Sequence, residues 1–136
     1  MTIDFATIRN QAELYKLSGR ELLMERSDDE LSAICNGIGA QWTDGLSING
    51  TTFSDFLNRL WPNWIVAACI HDVRYHLGGT EKDRQKADQE MRDNCNTVTF
   101  AQYSVFDVRR WRGWLEARTV YKVLRKFGAK AFNNKE

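Results

Sequence analysis

The sequence predicts an all-α protein folded as a single domain over residues 1–136, and three observations carry that expectation. Apolar residues recur at three- and four-residue spacing along most of the chain. Helix-starting residues stand just ahead of those runs. No window alternates strongly with the two-residue period of a strand. The chain is long enough for a proper core: 43% of its 136 residues are hydrophobic and 27% charged. One proline and nine glycines argue against low-complexity disorder.

Taken in order, FATIRNQAELYKLSGRELLMER (5–26) has helical spacing with Gly19 as a break, and forms an N-terminal helical extension of about residues 1–26. SDDELSAIC opens on Ser27 with Glu30 three residues later, the capping-box pattern. NGIGAQWTDGLSINGTT (36–52) is rich in glycine and turn residues and reads as a loop. A short helix is expected over 53–60. Pro62 suits the first turn of the next helix, which runs to about Leu77 and ends at Gly78 and Gly79. Thr80 with Asp83 caps a helix through about Asn94. NTVT (96–99) reads as a break, and a long basic helix and tail occupy about 100–136, the helix stopping at Gly128.

Formal net charge is only +1, but it is unevenly spread. Residues 109–136 hold nine Lys or Arg against two Glu, whereas residues 1–108 hold ten against sixteen Asp or Glu. A basic tail of this kind binds anionic lipid, nucleic acid or its own acidic body. Cys35, Cys69 and Cys95 are an odd set without CxxC spacing, which suggests a reducing compartment. The first residues lack the pattern of a signal peptide, and no apolar run approaches a membrane span. The expectation is a cytosolic product, or one exported without an ordinary leader.

The stretch ACIHDVRYHLGG (68–79) places an imidazole beside a carboxylate in an apolar segment, where unpaired charge is costly. On a helix His71 and Tyr75 share a face with Ala67, while Asp72 lies about 100° further round. Two helices joined at a tight turn near Gly79–Thr80 run antiparallel, and counting outward puts His71 and Asp88 at similar depth. Asp88 then holds one imidazole nitrogen and leaves the other to take a proton. Asp72 faces the glycine loop, and CNGIG can offer carbonyl oxygens to a hard cation such as calcium. The residues alone leave two readings open, a satisfied core network or an active site.

Other residues also carry more than one reading. Cys35, Cys69, His71 and Cys95 have the ligand types of a Cys3His zinc site but lack chelating spacing, and small buried cysteines are the simpler account. RRWRGWLEAR (109–118) reads as a membrane-interface patch, as a nucleic-acid patch, or as an amphipathic helix with Trp111, Trp114, Leu115 and Leu124 inward; the last is the expectation. Trp42, Trp61 and Trp64 flank the candidate site, as an acyl-chain slot or as core. His76 is expected on the solvent side.

CNGIGA, then CIHDVRYHLGGTEKDRQKADQEMRDN, then ARTVYKVLRKFGAKAF resembles the phospholipase A2 superfamily, and more closely its short, disulfide-poor phage and prophage group. The likeness covers roughly residues 35–132. It implies a phospholipase A2-like fold: two antiparallel core helices bearing a His-Asp site, a glycine-rich loop and a long C-terminal helix. It implies His71 as general base, Asp88 orienting it, Tyr75 supporting Asp88, and the Gly37 amide at the oxyanion. It implies a calcium ion held by Asp72 and by the carbonyls of Cys35, Gly37 and Gly39. The implied reaction is calcium-dependent hydrolysis of a glycerophospholipid acyl ester at a host membrane, by a phage- or prophage-encoded enzyme in the bacterial cytoplasm or the virion. The chain departs from the secreted enzymes in lacking their disulfide set and in carrying Ala40, Gln41 and Trp42 where they continue with further glycine. The alternative is a non-enzymatic protein that keeps the fold and acts as a virion component or by binding a host protein. Nucleic acid is the least favoured partner.

Overall fold

The computed structural model describes residues 3–35, 47–48, 51–52 and 61–136. Among these the protein is mostly helical, apart from one pair of two-residue strands. The helices are α1 (Phe5–Leu14), α2 (Glu21–Met24), α3 (Asp28–Ile34), α4 (Ile65–Leu77), α5 (Glu81–Gln102) and α6 (Val108–Phe127). A 3-10 turn over Pro62–Trp64 leads into α4, and another over Gly128–Lys130 follows α6. The strands β1 (Ser47–Ile48) and β2 (Thr51–Thr52) pair antiparallel. They fall inside the stretch expected to be loop. The Asn49-Gly50 dipeptide between them is a strong hairpin signal. The helix expected over 53–60 lies outside the described residues.

The first helical stretch breaks earlier than Gly19. Helix α1 ends at Leu14, Lys16 takes φ 51°, and Gly19 at φ 84° completes the turn into α2. Arg9 holds this corner closed by donating to the carbonyls of Leu23 and Arg26 at 3.1 and 2.8 Å and to Asp28 at 2.6 Å. Both capping boxes form. Ser27 and Glu30 exchange backbone and side-chain bonds at the start of α3, and Thr80 and Asp83 do so at the start of α5.

NTVT does not break the chain: α5 runs through it to Gln102. The hydroxyls of Thr97 and Thr99 bond back to the carbonyls of Asp93 and Cys95 at 3.0 and 2.8 Å, and Val98 and Thr99 are buried. Packing here outweighs the modest helix penalty of β-branched residues. The true break is at 103–107, where Tyr103 is extended and Asp107 caps α6 through the Arg109 amide. The C-terminal end of α6 is where it was expected, at Gly128.

Helix α5 is the spine, packing antiparallel on α4 and most extensively on α6. One core joins all six helices, with Leu23, Leu31, Trp64, Ile70, Val98 and Leu124 at its centre. Trp61 and Trp64 stack at 4.8 Å inside it, Trp64 donates to Thr99 at 2.9 Å, and Trp61 donates to Glu116. They are core residues near the far end of α5. Trp42 lies outside the described residues. Leu124 is buried, but Trp111 and Leu115 point outward rather than inward, and Trp114 is half-buried. Gly113, Ala117, Val120 and Leu124 are the inward face of α6 instead. Gly113 is on it because a Cβ there would lie 2.6 Å from Thr99. No helix among the described residues is long and apolar enough to cross a membrane.

Candidate active site

Helix α4 brings His71, Asp72 and Tyr75 to one end of the molecule, and α5 supplies Asp88. Gly78 makes the turn between them, at φ 71° and with the Asn133 backbone too close for any side chain. His71 Nε2 lies 2.9 Å from Asp88 Oδ1, and both side chains are buried. The Tyr75 hydroxyl donates to the same oxygen at 2.6 Å, and its ring packs on the imidazole with centroids 4.1 Å apart. His71, Tyr75 and Asp88 are thus brought together as the helical counting anticipates. His71 Nδ1 faces the other way, 4.0 Å from Asp72 Oδ1 and beyond hydrogen-bonding reach.

Asp88 has further partners that the sequence reading missed. Arg125 from α6 donates to Oδ2 at 2.7 Å, and Arg84 lies 3.7 Å from the same atom. Both guanidiniums also bind Glu81. The Arg84 and then the Arg125 hydrogen bonds hold the Glu81 carboxyl down at about 2. A carboxylate with 0% exposure needs such company, because a buried unpaired charge is expensive. Arg84 sits one helical turn before Asp88, so that contact was legible. Arg125 is 37 residues away, and nothing local announces it.

The C-terminal segment closes the cluster. Phe132 packs edge-on against Tyr75, and the Asn133 amide donates to the Tyr75 carbonyl at 3.1 Å. Asn133 Nδ2 donates to the His76 carbonyl, the Gly79 amide donates to the Asn133 carbonyl at 3.0 Å, and the Gly79 carbonyl accepts from the Lys135 amide at 2.8 Å. Gly128 is the one residue that fits where it stands, since a Cβ would meet the Tyr75 hydroxyl at 2.7 Å. Beside the cluster is a cavity of about 220 Å³, lined by Ile34 from α3, by Asp72, Tyr75 and His76, and by Ala131 and Asn133. His76 is exposed, as expected.

The glycine loop of the expected calcium site, with Gly37 and Gly39, lies outside the described residues. Cys35, the C-cap of α3, is described: its amide bonds the Leu31 carbonyl, and its thiol reaches the Cys69 carbonyl at 3.6 Å. Its sulfur is therefore occupied inside the protein. The hydrogen bond to Cys35, burial and the Asp72 charge push the Cys69 thiol well up, and burial does the same for Cys95. All three cysteines are free and buried, and among the described residues no three His, Cys, Asp or Glu side chains converge on a metal. That removes support from a Cys3His zinc site. Hard cations draw on carbonyl oxygens as well as on carboxylates. Asp72 brings one carboxylate to a cavity that the end of α3 also lines, and a carboxylate is suitable donor chemistry for such a cation.

Burial, and then the Asp88 charge, raise the Tyr75 phenol far above its ordinary value of 10.0. The fold favours the neutral phenol, so this contribution to stability is fully present below about pH 10 and fades as pH rises beyond it. In an alkaline absorbance titration, the Tyr75 phenol is expected to stay protonated well beyond about pH 10, so Tyr75→Phe leaves the absorbance change around that pH as it is in the wild type. An absorbance change around that pH that shrinks in Tyr75→Phe would contradict the arrangement. Comparison with protein-family models, curated proteins and solved structures finds no match to this chain.

Proposed function

We propose that the protein is a calcium-dependent hydrolase of glycerophospholipid acyl esters. The observation that carries this reading is the buried Asp88 on His71 Nε2, with Nδ1 turned toward the side where Asp72 lines a cavity. A proton on Nε2, donated to Asp88, leaves Nδ1 as the basic nitrogen. Nδ1 then takes a proton from the water that attacks the ester carbonyl, and later returns it to the leaving alcohol. Asp88 holds the imidazole in that orientation, and Tyr75 holds Asp88. Asp72 and the carbonyls of Cys35, Gly37 and Gly39 are the residues that would hold calcium, with the Gly37 amide beside the oxyanion. When bound, calcium supplies Lewis-acid stabilisation of developing negative charge on the ester oxygen.

The test is fatty-acid release from phospholipid vesicles, with calcium or with EDTA, beside calorimetric calcium binding. Wild type is expected to bind calcium and release fatty acid only in its presence. Asp72→Asn is expected to lose both while its helical circular dichroism is unchanged. Release that persists in EDTA would overturn the calcium assignment.

One observation favours a second reading, a non-enzymatic binding protein that keeps this helical frame. Asp88 already has two guanidiniums beside it, and a carboxylate so neutralised serves His71 as a structural strut. Absence of both calcium binding and release would select this reading.

A further inference from the structure

Helix α6 carries a surface that the His71 site does not use. Residues 108, 111, 115, 118, 122 and 126 follow one another at three- or four-residue steps, so they form one face. Its first half is apolar and exposed: Val108 at 77%, Trp111 at 49% and Leu115 at 57%. Its second half is cationic and exposed: Arg118, Lys122 and Lys126, with no ion pair to any of the three among the described residues. The turn leading into α6 extends the apolar half, with Val105 half-exposed and Phe106 at 97%. The tip is braced, because Trp111 Nε1 donates to the Val105 carbonyl at 2.9 Å and Arg110 lies over the Phe100 and Trp111 rings.

We propose that this face docks on a bilayer containing anionic phospholipid, with Phe106 and Val108 entering the acyl boundary and Arg118, Lys122 and Lys126 meeting phosphates. The charge is complementary to such a surface. An exposed apolar wedge continuous with a cationic stripe matches a layered partner that is apolar within and anionic at its surface. Nucleic acid offers the anions but no apolar layer for Phe106. The tip lies some fifteen residues along α5 from Asp88, about 20 Å at 1.5 Å per residue. Insertion of the tip is therefore separable from the dyad and does not depend on the hydrolase reading.

The experiment is co-sedimentation of the full chain with vesicles in EDTA, using phosphatidylcholine alone or mixed with phosphatidylglycerol, with duplex DNA tested alongside by fluorescence anisotropy. Binding to the anionic vesicles is expected to exceed binding to neutral ones by tenfold or more. Phe106→Asp, and separately the pair Arg118→Glu with Lys122→Glu, are each expected to weaken it by about tenfold or more, the factor that corresponds to about 1.4 kcal/mol. These side chains are exposed, and far-UV circular dichroism confirms that the variants fold. No preference for anionic vesicles, binding indifferent to Phe106→Asp, or tighter binding to DNA than to vesicles would overturn the proposal. So would self-association of the chain that Phe106→Asp abolishes without any effect on vesicles.

Discussion

Asp88→Ala is expected to cost about 3–5 kcal/mol of folding stability, the range for removing one partner of a buried charge cluster. The carboxylate is the anion that His71, Tyr75, Arg84 and Arg125 share. Without it, Glu81 is, among the described residues, the one carboxylate that buried Arg84 and half-buried Arg125 keep, Arg84 also keeping the carbonyls of Leu124 and Arg125, and the Tyr75 hydroxyl loses its acceptor. Urea unfolding of Asp88→Ala beside Asp72→Ala separates this from a general effect of losing a carboxylate. Asp72 is part-exposed at the cavity edge, so its loss is expected to cost far less. Equal stability of the two variants would mean that the cluster is not what holds this end of the molecule.

His71→Ala is expected, on the proposed reading, to lower fatty-acid release by about 10²–10⁴-fold, the usual contribution of a positioned general base. The fold is expected to survive, because Asp88 keeps Tyr75, Arg84 and Arg125 when the imidazole is gone. Release assayed at equal folded concentration checks this, and unchanged release would remove His71 from the chemistry. The two substitutions are thus expected to divide one hydrogen-bonded group: Asp88 carries its stability and, on the proposed reading, His71 carries its reactivity.

The sequence made legible the features that depend on near neighbours. Ser27 with Glu30 and Thr80 with Asp83 mark helix starts because a capping box is closed within four residues. The His71–Asp88 contact could be counted out because a tight turn fixes the register of the two helices it joins. Long-range packing escaped the same reasoning. The threonine-rich NTVT reads as a break by propensity, but Val98 and Thr99 are buried and the chain continues as helix. Trp111 and Leu115 have the spacing of an inward face, yet small Gly113 and Ala117 hold that place because α6 approaches α5 closely at Thr99. Arg125 bears on Asp88 from another helix, with no signal at either position. Gly37 and Gly39, the rest of the expected calcium site, fall outside the described residues.

The strap formed by Phe132 and Asn133, together with Arg125, has a consequence for the order in which the protein is made. Synthesis delivers His71 and Asp88 well before the residues that enclose them. Until those later residues arrive, Asp88 has no Arg125 on its second oxygen and Tyr75 has no Phe132 against its ring. The elongating chain therefore carries a centre that Arg125 and Phe132 have yet to close.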